Sequence, residues 1–540
     1  MIPLLGGSVF SQPVLQWAAR LNGAHDSTDV AKAVTTDIQG NVYVTGYCTS
    51  LILFTQIVTV KYSPAGAVLW SSSYGSLLFN EGNAITIDDS NNVYVAGFSY
   101  GLLSLSDFVV IKYNSSGVQQ WVYRYNGQGN GQDAANSIVV DAQHNVYVTG
   151  SAMQGLLILG NLDYVTIKLN INGIQQWAVN YDGPSHGDDI PYKIVKDNLN
   201  NVIVTGSSAG STGLDYATVK YNSSGALIWA KRYDGPGHSD DIAKDIAVDH
   251  SNNVIVTGSS RSGSASGTED YATIKYNQAN GNQQWVSRYN GPGNGEDRAY
   301  AIVVDNSDNV IITGASTGNS TGMDYATVKY DSTGSQRWVS RYNGTSNGED
   351  RAYAIVVDNS DNVYITGSST NSSSGTDYTT LKYDPINGSQ IWTVLYNGTG
   401  NSSDIAYAIT LDNVDNVLVT GSSRHSSLLG SEDYTTVKYS SLTGIQTISN
   451  NRPVSFSLHQ NYPNPFNPST KIKIDVAARS IVRLAVYDVR GVEAGVLINQ
   501  KLEPGQFEVE WDASKFSSGI YFCKLVSGST SEIRKMILLK

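Results

Sequence analysis

The sequence predicts an all-β chain: an eight-bladed β-propeller of four-stranded blades, its N-terminal strand closing the last blade, followed by a small immunoglobulin-like β-sandwich. Three observations carry this. Eight tryptophans (Trp17, Trp70, Trp121, Trp177, Trp229, Trp285, Trp338 and Trp392) recur at steps of 51 to 56 residues, with only Trp511 outside the series. Short β-type segments fill each step, and a period near fifty with that content marks radially repeated sheets. Beyond Gly444 the repeat stops and a stretch of different charge begins.

The clearest repeat runs from Ala299 to Gly344. AYAIVVD (Ala299 to Asp305) and NVIITG (Asn309 to Gly314) flank a polar NSDN turn. A Gly/Ser/Thr loop leads to DYATVKY (Asp324 to Tyr330), and a DSTG turn to QRWVSRYNG (Gln336 to Gly344). These runs are short, rich in Val, Ile, Thr, Tyr and Trp, bounded by turn formers, and lack helical spacing. They are labelled a, b, c and d.

Eight a segments end in an acid, from Asp37 to Asp412, eight b segments end in glycine, from Gly46 to Gly421, and eight c segments carry a lysine, from Lys61 to Lys438. The d segments are out of phase. The first, VLQWAARLNG from Val14, precedes every a segment, and the last c segment has no tryptophan after it. An N-terminal strand that completes the final blade explains the offset and removes a free sheet edge. The rival arrangement is seven blades and a stray repeat. The tryptophans read as core residues that fill the gap between blades, rather than as a stacking platform.

The alternation of AIVVD, NVYVTG and DYATVKY resembles the bacterial β-propeller repeat family called SBBP, over residues from about 14 to 444. That family has no single established activity, so the resemblance implies a fold and no catalytic residues. NSSGALIW (Asn222 to Trp229) is also similar to the tryptophan-docking motif of eight-bladed quinoprotein dehydrogenases. Those enzymes resemble one another in an adjacent cysteine pair and a calcium site, whereas this chain has only Cys48 and Cys523, far apart.

After a linker at 445–454, residues 455–540 alternate strands with Gly and Pro turns, as a small antiparallel sandwich does. Residues 453–540 hold 11 Lys/Arg and 8 Asp/Glu, against 24 and 39 in the remainder, so the charge changes sign at the boundary. NYPNPFNPST (Asn461 to Thr470), VYDVRG (Val486 to Gly491), the Trp511–Asp512 pair, SSGIYF (Ser517 to Phe522) and a basic-apolar tail resemble the type A C-terminal sorting domain of type IX secretion. The residues carrying that resemblance are Asn461, Pro463, Pro465, Phe466, Gly491, Gly519 and Lys540. It implies passage from the periplasm through a Gram-negative outer membrane, with the secretion machinery as partner and a secreted or cell-surface destination. The alternative is an ordinary accessory module. Residues 1–11 read as the tail of a signal peptide ahead of a propeller spanning 12–444.

Composition narrows the function. The net charge of −12 argues against a nucleic-acid partner. No other run is long and apolar enough for a membrane span, and two separated cysteines make no disulfide framework or metal cluster. No nucleophile elbow, phosphate loop or zinc signature is present, so no catalytic residues are assigned.

The a–b and c–d turns are short and share one face, and the b–c and d–a loops are long and share the other. On the long-loop face, Asp29, Asp133, Asp189, Asp241, Asp297, Asp350 and Asp404 repeat before the a segments, and Asp107, Asp163, Asp215, Asp270, Asp324, Asp377 and Asp433 open the c segments. Such carboxylates can bind calcium, but their repetition favours turn capping. Loops of blades 1, 2, 3 and 8 are apolar instead, with Leu51, Phe54, Leu77, Phe79, Leu102, Leu105, Leu156, Leu159 and Leu428. In a closed ring these loops gather into one sector, a partner site or a mutually buried cap. His25, His186 and His238 read as solvated loop residues. The expected function is non-catalytic binding or scaffolding toward an extracellular protein or glycan. The rivals are a polysaccharide lyase or hydrolase acting at the mouth of the ring, and a structural surface-layer component. A His, Arg or Tyr cluster converging on the mouth would favour the enzyme, and a flat apolar sector would favour binding.

Overall fold

The computed structural model describes residues 13–540 except 24–26, 52–53, 76–77, 102–104, 129, 156–159, 264–266, 427–431, 441–444, 450–451, 514–515 and 529, and except the side chains at 51, 445–447, 496, 499–501 and 512. The expected signal-peptide remnant lies outside the described residues. All described elements are strands. Between Leu15 and Tyr439 they form eight antiparallel four-stranded sheets, consistent with a propeller. Sheet 6, for example, is Asp297–Val304, Val310–Thr317, Met323–Tyr330 and Gln336–Tyr342, the a, b, c and d segments in order.

The eighth sheet draws on both ends of this region. Asp404–Leu411, Val417–Arg424 and Glu432–Tyr439 are joined by Leu15–Leu21, with Trp17 opposite Lys438. Each a strand packs beside the a strand of the next sheet, and Asp404–Leu411 packs beside Val30–Thr36 of the first. Apolar clusters fill the gaps between sheets. Leu418 and Tyr434 of sheet 8 share one cluster with Ala31, Val42 and Val60 of sheet 1, as Ile311 and Tyr325 of sheet 6 do with Ala352 and Val363 of sheet 7.

Tryptophan and lysine fasten neighbouring sheets together. Trp285 Nε1 and Lys275 Nζ both donate to the Ser332 carbonyl in the c–d turn of the next sheet, at 3.1 and 3.3 Å. Trp17 and Lys438 hold the Pro64 carbonyl of sheet 1 in the same way, at 3.0 and 3.3 Å. Among the described residues, the turn glycines under the indoles from Trp17 to Trp338 have no room for a side chain. At Gly334, where φ is +86°, a Cβ would lie 2.7 Å from the Trp285 ring. Glycine alone satisfies both the left-handed backbone and the close approach.

The a–b turns carry a second repeated device. Asp305 accepts from the backbone N–H groups of Ser307 and Asn309, both at 2.9 Å, which closes an Asx turn. Its other oxygen takes Lys329 at 2.7 Å. The second b residue decides how the lysine behaves. Where it is Ile203, Ile255, Ile311 or Leu418, the lysine pairs directly with the aspartate at 2.7–2.8 Å. Where it is Tyr43, Tyr94, Tyr147 or Tyr364, the phenol donates to the aspartate at 2.9–3.1 Å. The lysine then stands over the tyrosine ring, 4.7–5.1 Å from its centroid.

After the eighth sheet the chain enters a separate core of two four-stranded sheets. One is ordered Ile445–Ser449, Gly505–Asp512, Ser469–Val476, Ser457–Leu458, and the other Glu493–Leu502, Ser480–Asp488, Gly519–Ser527, Thr530–Leu538. Residues 445–449 fall in the stretch expected as a linker, yet they pair along Gly505–Asp512. Trp511 centres the core, 5.4 Å from Phe466 and 5.2 Å from Tyr521.

Candidate functional site: the axial channel

Every a strand carries a β-bulge at its third or fourth residue. In sheet 6 Ala299 pairs with Gly314 and Ala301 with Thr313, which leaves Tyr300 as the extra residue. The bulge drives the Arg298 carbonyl toward the b strand, where a Cβ on Gly314 would lie 2.0 Å from it. This explains the glycine that ends each b segment. A bulge also re-aims the side chain of its extra residue. Around the eight sheets these residues are Lys32, Asn83, Asn136, Tyr192, Lys244, Tyr300, Tyr353 and Tyr407, and they line one cavity of about 600 Å³. A recess of about 400 Å³ shares Lys32, Asn83 and Tyr407 and adds Tyr47.

The ring falls into two arcs. Tyr300, Tyr353 and Tyr407 form a chain of aromatic contacts, with centroids 5.6 and 6.1 Å apart and planes tilted by 42° and 43°. Burial pushes the Tyr353, Tyr407 and Tyr47 phenols up, away from ionisation. They stay neutral, each with a hydroxyl and an aromatic face. The opposite arc is polar. Lys32 pairs with Glu81 and reaches Asn83 Oδ1 at 3.1 Å, and Asn136 donates to the Pro191 carbonyl at 2.7 Å. Lys244 stands over the Tyr192 ring, 3.8 Å from its centroid. Deeper in the wall, Asp245 accepts from the backbone of Ile302 at 2.9 Å and of Ile246 at 2.9 Å. Burial raises its pKa, against the opposing charge of Lys193.

The repeated loop aspartates do something else. Asp297 accepts from Gly291 N–H at 2.6 Å and Thr317 N–H at 3.0 Å, so one carboxylate ties the d–a loop to the b strand. Asp29, Asp133, Asp189, Asp241, Asp350 and Asp404 hold the corresponding two amides in their sheets. Burial pushes Asp29, Asp133 and Asp404 up to about 6. Of the c-strand acids, Asp107, Asp215, Asp270, Asp324 and Asp433 pair with Arg124, Arg232, Arg288, Arg341 and Arg20 at 2.6–2.9 Å. At Asp163 the arginine's position on the d strand is taken by Asn180, opposite Val165; the Asp163 carboxylate accepts from the Asn161 side chain at 3.0 Å and has Asp182 and Asp189 beside it. Burial and then those two charges raise it to about 7. His186 and His238 are exposed and pair with Asp182 and Asp234 at 2.6 and 2.7 Å, while His25 lies outside the described residues.

Of the apolar loop residues, Phe54 is half-buried, and Phe79 and Leu105 are exposed, with Phe79 packed 5.8 Å from Tyr100. Leu77, Leu102, Leu156, Leu159 and Leu428, and the Leu51 side chain, lie outside the described residues. In the C-terminal domain the Pro-rich motif grips the last strand. Asn461 donates to the Pro463 carbonyl and to Thr470, at 3.1 and 2.9 Å. Phe466 exchanges backbone hydrogen bonds with Ile537 and Leu539, and the Asn464 side chain, between Pro463 and Pro465, accepts from Ile537 N–H. Gly491 takes φ +78° in the turn closed by Asp488, and Lys540 N–H donates to Ser518, beside Gly519.

Residues 460–539 match the family described as the secretion system C-terminal sorting domain. The C-terminal domain is a secretion sorting domain. Residues 16–52 match a beta-propeller repeat, the SBBP type, and 172–393 match the outer membrane protein assembly factor BamB, a quinoprotein-like propeller region. The chain is therefore a propeller that its sorting domain marks for secretion or surface display. It is similar to the uncharacterized WD repeat-containing protein L264 of Acanthamoeba polyphaga mimivirus, 24% identical over 449 residues, with 65% of this chain and 30% of that protein covered. The match thus spans less than a third of that relative. Similar solved structures include polysaccharide lyase Uly1 (10% identity, 66% of this chain and 89% of that one, TM-score 0.43) and a fungal alcohol oxidase of the AA5 family with copper (13%, 84% and 96%, 0.38). A third is the PL25 ulvan lyase (12%, 72% and 95%, 0.37). No described helix is long and apolar enough to cross a membrane.

Proposed function

We propose that this chain is an extracellular binding module: a closed eight-bladed propeller, exported by an immunoglobulin-like sorting domain that begins near Ile445, which takes a ligand in its axial channel. The observation that carries the reading is the bulge ring. Turn acids, lysines and tryptophans recur from sheet to sheet, whereas the ring changes from Lys/Asn to Tyr around one cavity. Divergence on a repeated scaffold marks a site. Ring closure is supported by Trp17 and Lys438 gripping Pro64 as their counterparts grip later turns. Type IX export is supported by the matched sorting domain.

A second reading, a polysaccharide-active enzyme, draws support from the same tyrosines, with Arg351 3.4 Å from the Tyr300 hydroxyl. Binding fits better. Tyr47, Tyr353 and Tyr407 are held away from ionisation, and Asp245 is already engaged by two backbone donors. A general base needs a pKa brought toward the working pH and a free acceptor. The apolar loops near Phe79 and Leu105 offer a further partner surface. A glycan array and a pull-down with the full chain and with Tyr353→Ala test the proposal. Tyr353-dependent capture without product release supports it, and capture indifferent to Tyr353 contradicts it.

A further inference from the structure

The lysines of the repeated a–b device are committed to aspartates, rings and neighbouring carbonyls. The two lysines in the wall of sheets 4 and 5 differ in lacking an acid, although Lys244 also stands over a ring, that of Tyr192. Among the described residues neither Lys193 nor Lys244 has a carboxylate within ion-pair distance, although Asp245 lies near enough to feel the charge of Lys193. At the position of Lys193 and Asp245 the other sheets carry Ala33, Ala84, Ser137, Ala301, Ala354 and Ala408. The charged sector is therefore a local departure in a wall of small residues. Counting Lys32, Lys193 and Lys244 against Glu81 and Asp245 leaves one positive charge in the channel of a chain whose net charge is −12. Ammonium groups without a carboxylate partner in a concave site attract and hold anions.

The other wall limits what the anion is attached to. Tyr300, Tyr353 and Tyr407 tilt by 42° and 43° from one to the next, so they make a curved surface rather than a parallel slot. A flat aromatic ligand would stack on one ring and lose the others. A puckered sugar ring presents C–H faces to an aromatic surface and hydroxyls to the phenols and to Asn136. The cavity of about 600 Å³ lies within the range of small-molecule sites.

We propose that the channel takes an anionic saccharide, a sugar bearing a carboxylate or a sulfate, with its ring on the tyrosine arc and its acidic group toward Lys193 and Lys244. The assignment rests on the binding reading above and names its ligand class. Isothermal titration of the full chain with a galacturonate trisaccharide, a chondroitin sulfate disaccharide and a neutral galactose trisaccharide tests it, the first two arms separating carboxylate from sulfate. The expected result is binding of at least one charged probe about ten-fold or more tighter than the neutral one, weakened by salt. Lys244→Gln should weaken that probe about five- to ten-fold while Lys244→Arg retains it, with the thermal midpoint of each variant unchanged. Equal binding of neutral and charged probes, or indifference to Lys244→Gln, would overturn the ligand class. The binding reading would survive that result if Tyr353→Ala still abolished binding. If none of the probes bound and capture of some other partner depended on Tyr353, only the saccharide assignment would fall. If nothing depended on Tyr353, both would.

Discussion

The a–b turn face and the bulge ring are built on the same eight a strands, a few residues apart, and they obey opposite rules. At the turn, the aspartate, its asparagine and the c-strand lysine recur in nearly every sheet. Even the exchange of tyrosine for isoleucine is absorbed, since Tyr364 supplies a hydroxyl and a ring where Ile311 leaves the lysine to pair directly. At the ring, the residue type changes with no such compensation. Repetition therefore marks what holds the sheets together, and variation marks what the channel presents. Perturbing the two regions should separate stability from binding.

The largest expected effect is at a repeated position. Lys329 and Asp305 are both buried, and burial alone would raise the aspartate, but Lys329 and Asn309 outweigh it and hold Asp305 below the usual carboxylate range. Lys329→Met leaves that charge unpaired and should cost about 3–5 kcal/mol in chemical denaturation. An unchanged midpoint would break the comparison at its first step. Trp392, 1% exposed, should cost a similar amount or somewhat less as Trp392→Ala, about 3–4 kcal/mol. Tyr364→Phe, which deletes one hydrogen bond to Asp358, should cost about 1–2 kcal/mol.

Asp163 sharpens the comparison because one repeat breaks the rule on the loop face. Its counterpart Asp215 pairs with Arg232, but in the sheet of Asp163 the arginine is replaced by Asn180 and two further acids lie beside the carboxylate. Unfolded, it ionises near the ordinary aspartate value of 3.8, and folded near 7. The folded state keeps a proton across that window, so this group's contribution to stability is full below pH 3.8 and is lost as pH rises toward 7. Asp163→Asn should therefore stabilise the protein at pH 8 by on the order of 2 kcal/mol and have no effect near pH 3. Equal effects at both pH values would show that charge is not the cause. The smallest effect belongs to Phe79→Ser. This side chain is 46% exposed, so the thermal midpoint should hold to within about 0.5–1 kcal/mol of stability. A collapse would mean that the apolar loops cap the fold.

Much of this was legible in the sequence. The tryptophan period and the offset d segments point to the strand that joins Trp17 to Lys438. The NYPNPF run points to the domain that grips its own last strand. The conformation of the a strands was not legible. AYAIVVD reads as simple alternation, but the bulge at Tyr300 shifts the phase by one residue and turns that side chain to the channel. The signal lay in the b-segment glycine, whose missing Cβ makes room for the bulged carbonyl. Reading Gly314 as a turn marker concealed it. Ile445–Ser449 was equally hidden, because five residues of mixed character do not announce a strand whose partner lies sixty residues on.

One thermal-shift titration with the galacturonate trisaccharide addresses the division between scaffold and site directly, because it reports the unliganded midpoint and the ligand-induced shift together. For Lys329→Met the account predicts a lowered midpoint and a preserved shift. For Lys244→Gln it predicts a preserved midpoint and a lost shift. A shift lost in the first variant and kept in the second would contradict it.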